Sequence, residues 1–148
     1  MLRIGLVSDT HGLLRQEVLD FLRGSDHILH GGDICGPQVL ESLRELAPVT
    51  AVRGNNDHGP WAETLAPAET VRFEEVDVHM VHDLQELALP PAARVVVTGH
   101  SHKPRVEERA GILYVNPGSA GPRRFSLPIS AGELRIEGAR VTARLVQF

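Results

Sequence analysis

Residues 3–12 read RIGLVSDTHG, a short apolar run that ends in polar residues and a glycine. The run Arg3–Ser8 predicts a buried β-strand, and the Asp-Thr-His-Gly after it predicts a loop. The same pattern recurs at His27–His30, which ends in Gly-Gly-Asp, and at Pro48–Arg53, which ends in Gly-Asn-Asn-Asp. Each of these strands is therefore expected to lead directly into a polar loop.

Two amphipathic helices are predicted between these strands. Apolar residues recur at helical spacing from Leu13 to Leu22, and Gly24 is typical of a helix end. Pro37 suits the first turn of the second helix. The apolar face of that helix comprises Val39, Leu40, Leu43 and Leu46. The first part of the chain thus alternates strand, helix, strand, helix, strand.

The second half is predicted to be mostly β-structure. Its expected strands are Val71–Phe73, Val76–Val81, Ala93–Thr98 and Ile112–Val115. From residue 129 to 148, two alternating segments flank Glu137-Gly138, which is typical of a hairpin turn. With no repeat or linker in between, residues 1–148 are predicted to form a single α/β domain. We expect a two-sheet β-sandwich flanked by helices.

Composition excludes several classes of function. The net charge of −4 argues against general nucleic-acid binding, which requires a basic surface. No apolar run approaches the ~18 residues that a membrane span needs. The single cysteine, Cys35, cannot form an internal disulfide, so a cytoplasmic, reducing environment is expected.

Polar residues gather where the predicted strands end, and loops at the carboxyl ends of parallel strands share one edge of a sheet. These residues are Asp9, His11, Asp33, Asn55, Asn56, Asp57, His82, Asp83, His100, His102 and Asn116. Carboxylate, amide and imidazole groups are oxygen and nitrogen donors that suit divalent ions. Glycines that tolerate a close approach of the backbone precede three of the positions, at Gly32, Gly54 and Gly99. The pattern predicts a site for two divalent metal ions.

Five sequence blocks resemble the signature of the calcineurin-like metallophosphoesterases. The blocks are Asp9-Thr10-His11, Gly32-Asp33, Gly54-Asn55-Asn56-Asp57, His82 and Gly99-His100-Ser101-His102. The short chain and its Asn116-Pro117-Gly118-Ser119 segment resemble the small YfcE-like phosphodiesterases within that family. One block alone is weak, whereas all five in order form a specific signal.

The resemblance implies a ligand set. Asp9, His11 and His102 would hold a first ion, Asn55, His82 and His100 a second, and Asp33 would bridge the two. Manganese is the expected metal, and nickel, iron, zinc or cobalt also suit nitrogen and oxygen ligands. Two such ions would attract an anionic phosphate and acidify a water, so a metal-bound hydroxide would cleave a phosphodiester bond.

Asn56 departs from the family pattern. Many members have histidine at this position, where it is thought to protonate the leaving group. An amide cannot do so at ordinary pH, and general acid catalysis typically contributes about 10²–10⁴-fold. The catalytic candidates are therefore Asp33, through the shared ions, and Asn56, through its position. We predict a preference for diesters with acidic leaving groups, such as aryl esters.

Three neighbouring residues leave alternatives open. Asp83 stands where the family usually has glycine, and it either caps a helix that begins near Leu84, the favoured reading, or points at the second ion. His79 competes with His82 as a ligand, although it lies within a predicted strand. His58 could replace the missing proton donor, but loop histidines are usually solvated.

Other polar residues have both functional and structural readings. His30 could orient a ligand through a hydrogen bond or could simply be a buried, satisfied histidine. Arg53 and the pair Arg123-Arg124 could contact phosphate, although a solvated surface role is favoured for the pair. Cys35 fits packing better than ligation.

The function favoured by the sequence is a metal-dependent phosphodiesterase acting on a small phosphodiester. An alternative is a non-catalytic interaction scaffold, because a retromer subunit shares this fold and the usual proton donor is absent here. A phosphomonoesterase or nucleotidase ranks lower, because the sequence shows no basic cluster for a dianionic monoester. The physiological substrate stays open, as does assembly into a homo-oligomer.

Overall fold

The protein, described from Met1 to Phe148 by a computed structural model, has ten β-strands and three short α-helices. In chain order these are β1 (Leu2–Val7), α1 (Gln16–Leu22), β2 (His27–His30), α2 (Pro37–Arg44), β3 (Val49–Ala51), α3 (Pro60–Glu63), β4 (Ala68–Phe73), β5 (Val76–Val81), β6 (Ala93–Val97), β7 (Arg105–Arg109), β8 (Ile112–Asn116), β9 (Ser130–Glu137) and β10 (Arg140–Gln147). One sheet has the order β10-β9-β1-β2-β3 and the other β4-β5-β6-β8-β7. The predicted two-sheet sandwich with flanking helices is confirmed.

Successive side chains of β1 point to opposite faces of the sheet, so this one strand contributes to two apolar cores. Ile4 and Leu6 belong to the apolar core between the sheets, which includes Met80 of the opposite sheet. The side chain of Val7 points to the opposite face of the sheet and packs with residues of α1 and α2 in a second core. Gly5 also faces α1, where a Cβ would lie only 2.7 Å from a methyl carbon of Leu22. Glycine here lets the helix lie close against the sheet.

Parallel pairing brings the functional loops together. Strands β1, β2 and β3 run parallel to one another, and so do β5, β6 and β8. The loops that follow these two sets of strands are in contact. Within the second set, the Gly99 backbone N–H donates to the His82 carbonyl. The ring of His82 in turn contacts the Gly31 carbonyl of the first set. Both sheets therefore contribute to one edge of the sandwich.

The structure differs from the sequence prediction in three places. Helix α1 begins at Gln16, so Leu13 lies in the preceding loop and is 40% exposed. Neither the four-residue α3 nor the strand β7 was predicted. Strand β7 lies at a sheet edge and reads RVEER, with charged residues that discourage pairing with other chains and hide the apolar alternation. No helix here is both long and apolar enough to cross a membrane.

Candidate metal centre

The loops that carry the predicted site residues have an unusual backbone. Residues with positive φ include Asp9 (54°), His11 (46°), Asp33 (57°), His100 (70°) and His102 (63°). This left-handed region is uncommon for residues other than glycine and carries a conformational cost. The surrounding fold must therefore hold these turns in place, as is frequent where side chains are positioned for function.

Two carboxylates and three imidazoles converge at the centre of this edge. Asp9 Oδ1 lies 3.9 Å from His11 Nε2, 3.9 Å from His82 Nε2 and 3.4 Å from His102 Nε2. Asp33 Oδ2 lies 3.8 Å from His11 Nε2 and 3.4 Å from His82 Nε2. Each carboxylate thus faces imidazoles from both predicted ligand sets.

Two groups have metal-binding spacing: Asp9 with His11 and His102, and Asp9 with Asp33 and His82. The first group matches the ligand set expected for the first ion. In the second group Asp9 stands beside Asp33, although Asp33 was the expected bridging residue. The geometry therefore allows either carboxylate to bridge the two ions.

The buried atoms at this centre lack protein partners. Asp9 Oδ1, His82 Nε2 and His102 Nδ1 are buried and make no hydrogen bond. An unpaired buried polar atom is costly, and a buried carboxylate oxygen needs a donor or a cation. Divalent ions held by oxygen and nitrogen ligands would satisfy Asp9 Oδ1 and His82 Nε2 together, so the residues present fit the metals that the sequence predicts.

Asn55 and His100 lie at the outer side of this cluster. His100 Nδ1 is 3.1 Å from Asn55 Oδ1, and the ring of His100 lies edge-on to His82 with centroids 5.2 Å apart. Two ligand atoms about 3 Å apart can both reach one ion at ordinary metal–ligand distances of about 2.1 Å. The His100 side chain is 46% exposed, so this side of the centre is open to solvent.

Asp83 has the capping role, one of the two alternatives that the sequence left open. Its Oδ1 accepts from the Gln85 N–H and caps the 3₁₀-helix Leu84–Glu86. Its Oδ2 lies 3.8 Å from His100 Nε2. The favoured capping role is therefore present, and the second oxygen lies near Nε2 of His100, whereas Nδ1 of that ring faces Asn55.

Asn56 holds the carboxylate of Asp33 in place. Its backbone N–H donates to Oδ1 and its side-chain amide donates to Oδ2, each at 2.9 Å. Burial raises the pKa of Asp33, but the adjacent imidazole of His82, 3.4 Å away, and the two hydrogen bonds from Asn56 outweigh it and hold this pKa well below its usual range. The carboxylate is consequently a charged ligand candidate at any pH near neutrality.

Asp57, for which the sequence pattern predicts no separate role, organises the loops. Its buried carboxylate accepts four backbone N–H groups, from Asp33, Ile34, Cys35 and Gly54, at 2.8–3.0 Å. These bonds tie the loop after β3 to the loop after β2. The position of Asp57 at the end of the Gly54–Asp57 block indicates that it lies near the site. The convergence of these four N–H groups on its carboxylate is visible only in the fold.

Close backbone contacts make two of the predicted glycines necessary. A Cβ on Gly54 would lie 2.2 Å from Asp33 Oδ1, and a Cβ on Gly99 would lie 2.1 Å from Ser8 Oγ and 2.7 Å from Asp9 Oδ2. Real Cβ atoms do not approach other heavy atoms so closely. Any side chain at either position would displace a carboxylate of the centre.

Asn116 and His30 stabilise the loops of the centre through hydrogen bonds. The Asn116 side chain donates to the Gly99 carbonyl at 3.0 Å and to Ser101 Oγ at 3.1 Å. His30 bonds to Thr10 Oγ1 and accepts from the Gly32 N–H, each at 3.1 Å. Burial lowers the pKa of His30 to about 4, so its ring is neutral. Both residues position backbone rather than face the centre.

His82, and not its competitor His79, lies at the centre. The Nδ1 of His82 is 2.7 Å from the Gly31 carbonyl, which leaves Nε2 facing the two carboxylates. Burial lowers the pKa of His82, but the nearby carboxylate of Asp33 and the hydrogen bond to Gly31 outweigh it and raise this pKa to about 8. His79 instead contacts Thr70 Oγ1 at 2.8 Å within the β4–β5 pair.

The remaining candidates lie around the centre. Cys35 Sγ is 3.5 Å from His11 Nδ1 and belongs to neither group with metal-binding spacing, and burial with the nearby carboxylates raises the pKa of this thiol to about 11. His58 is exposed on the loop beside Asn55. Burial lowers the pKa of His11 against the pull of the carboxylates, and the charge of the exposed Arg124 adds to this lowering.

Comparison with known proteins identifies the family. Residues 2–139 match the calcineurin-like phosphoesterase superfamily domain. A probable metallophosphoesterase of Methanothermobacter thermautotrophicus is 33% identical over 159 aligned positions, which cover 97% of this chain and 91% of that protein. The phosphodiesterase YfcE of Escherichia coli K12 is 30% identical, covering 90% of this chain and 88% of YfcE. The chain belongs to the calcineurin-like phosphoesterase superfamily.

Solved structures agree with this placement. The structure of Escherichia coli YfcE superposes with a TM-score of 0.73 over 90% of this chain and 88% of YfcE. Vps29 of Chaetomium thermophilum superposes with a TM-score of 0.85 over 99% of this chain and 87% of its own, at 18% identity. The likeness to Vps29 shows a shared fold alone. The resemblance to the YfcE-like group drawn from the sequence blocks is confirmed.

Proposed function

We propose that this protein is a phosphodiesterase that works with two divalent metal ions. The observation that carries the proposal is the buried convergence of Asp9 and Asp33 with three imidazoles, in which Asp9 Oδ1 and His82 Nε2 make no hydrogen bond. The proposed ligands are Asp9, His11 and His102 for one ion, Asn55, His82 and His100 for the other, and Asp33 for both. Manganese is the first metal to test.

When bound, the two ions supply Lewis acidity that neutralises phosphate charge and favours attack by water. The chain's own residues set the geometry for that chemistry. The carboxylates of Asp9 and Asp33 balance part of the metal charge, and the net positive charge that remains attracts an anionic phosphate. Asn56 fixes the orientation of Asp33 without offering a proton to the leaving group. Substrates with acidic leaving groups are therefore the proposed preference.

A phosphodiester is favoured over a monoester because the centre has few cations around it. Arg53 lines a small hollow beside Asn55, and Arg124 lies near His11, but no ring of basic side chains surrounds the cluster. A dianionic monoester needs more compensating charge than a monoanionic diester. Comparing bis(p-nitrophenyl) phosphate with p-nitrophenyl phosphate tests this point, and faster monoester turnover would contradict it.

The decisive experiment is turnover of bis(p-nitrophenyl) phosphate by the protein loaded in turn with manganese, nickel, iron, zinc and cobalt. We expect activity with at least one metal, and its loss in Asp33→Asn. Asp20→Asn, which changes a carboxylate whose side chain is 61% exposed on α1, is the matched control and retains activity. An absence of turnover with every metal would instead favour the scaffold alternative.

A further inference from the structure

We propose that the cleft beside His100 binds the larger substituent of the diester, and that this substituent carries a planar ring and a second negative charge. A dinucleotide with a 5′-phosphate has both features. The inference rests on the proposed phosphodiesterase function and adds a substrate class to it. The cleft encloses about 710 Å³, which is within the usual range for small-molecule sites.

The ring of His100 connects the cleft to the metal centre. Its Nδ1 faces Asn55 Oδ1 at 3.1 Å, and its Nε2 lies 3.8 Å from Asp83 Oδ2. Both His100 and Asp83 line the cleft, so this imidazole stands between the cleft and the centre. A diester with its phosphate at the centre would extend one substituent past His100 into the cleft.

Apolar and aromatic side chains line part of the cleft. Leu84 and Leu87 lie on the side of the 3₁₀-helix, and Leu84 is 40% exposed. Tyr114 of β8 contributes an aromatic ring, over which the Arg109 guanidinium carbon lies 4.5 Å from the centroid. Leucine side chains and an aromatic ring that line the same cleft suit a flat, partly apolar substituent. These are the side chains that the proposed substituent would contact.

The charges of the cleft favour a second anion. Arg105 and Arg109 both pair with Glu107, the latter at 3.6 Å. Lys103 also lines the cleft, is exposed and makes no ion pair. Asp83, the other acidic group here, already accepts a hydrogen bond from the Gln85 N–H. Lys103 is therefore the cation available to an anionic group of the substrate.

The test compares two diesters with the metal-loaded protein. One is the 5′-phosphorylated dinucleotide pApA, which can extend into the cleft but has a poor, alkyl leaving group, and the other is methyl p-nitrophenyl phosphate, which has a good leaving group but is too short to fill the cleft. We measure the ratio of kcat/KM for pApA to that for the small diester. Lys103→Ala is expected to lower this ratio about tenfold, since a hydrogen bond to a charged group is lost. Leu84→Ala is expected to lower it about threefold, since apolar contact is lost.

Arg140→Ala is the matched control, because Arg140 is an exposed cation of β10 outside the cleft. A ratio that stays the same in both cleft variants, or that falls equally in Arg140→Ala, overturns the subsite. AMP binding to the metal-free protein, measured by calorimetry, gives an independent readout that Lys103→Ala should weaken about tenfold. No AMP binding at millimolar concentration also overturns the subsite, whereas no turnover of either diester overturns the proposed function.

Discussion

Asn56 donates two hydrogen bonds of 2.9 Å to Asp33, one to each oxygen of the carboxylate. A neutral amide therefore restrains the carboxylate that we propose to be shared between ions. Such a residue orients a ligand but cannot release a proton to a leaving group at neutral pH. The pair thus links the geometry of the centre to the expected substrate preference.

Asn56→His is expected to raise turnover of alkyl diesters relative to aryl diesters. A general acid helps poor leaving groups most, so the ratio of alkyl to aryl kcat should rise at least about tenfold. Asn56→Ala is the control, because it removes the side-chain bond to Asp33 without supplying an acid. If alkyl turnover fails to gain in Asn56→His, the absence of an acid does not limit this enzyme.

Asp57→Asn is expected to destabilise the protein. The carboxylate accepts four backbone N–H groups, and an amide would place its own N–H groups against some of them. The loss should be about 2–4 kcal/mol in the free energy of unfolding, measured with urea. Asp20→Asn, on the exposed face of α1, should change it by less than about 0.5 kcal/mol. Equal stabilities of the two variants would show that Asp57 does not organise the loops.

Glu133→Gln is expected to reduce stability near neutral pH and to matter less in acid. Burial raises the pKa of Glu133, but hydrogen bonds from Arg3, Arg144 and Arg135 outweigh it and lower the pKa below its ordinary 4.5. A lowered pKa gives stability that is full above 4.5 and is lost as pH falls through the folded-state pKa. The stability difference from wild type should therefore shrink below pH 4.5.

Urea unfolding of Glu133→Gln across pH measures this difference, which should be about 1–3 kcal/mol at pH 7. The matched control is Glu137→Gln, an exposed position on the same strand without an ion pair. A difference that stays constant down to pH 3, or that grows in acid, contradicts the assignment.

Manganese is expected to raise the unfolding temperature of the metal-free protein. Ions that bind only the folded state stabilise it by about 2.7 kcal/mol at a hundredfold excess over their dissociation constant. Asp9→Asn should remove most of this gain, because Asp9 Oδ1 is the unpartnered oxygen that faces three imidazoles. Thermal scans with and without manganese compare this variant with Asp20→Asn. An equal gain in both variants would place the ions elsewhere.

Much of the site could be predicted because its signals are local. Short apolar runs that end in Asp9, Asp33 or His100 indicate strands that lead into loops, and parallel strands bring such loops to one edge. The fold follows from the same runs, since hairpins and buried strands show regular alternation. Strand β7 was not predicted because its charged sequence lacks that alternation.

Other features depend on long-range convergence. The left-handed backbone of Asp9 and His100 cannot be read from residue type alone. Asp57 accepts N–H groups from two separate loops, and only the assembled fold shows that those groups point to one place. The cleft at Lys103 likewise forms between segments that are distant in sequence.

The most direct test of the account is the number of metal ions that the protein binds. Equilibrium dialysis against manganese, followed by elemental analysis, should give two ions per chain for the wild type and fewer for Asp33→Asn. Binding of no ion, or the same content in both proteins, would contradict the claim that Asp33 is shared between two ions.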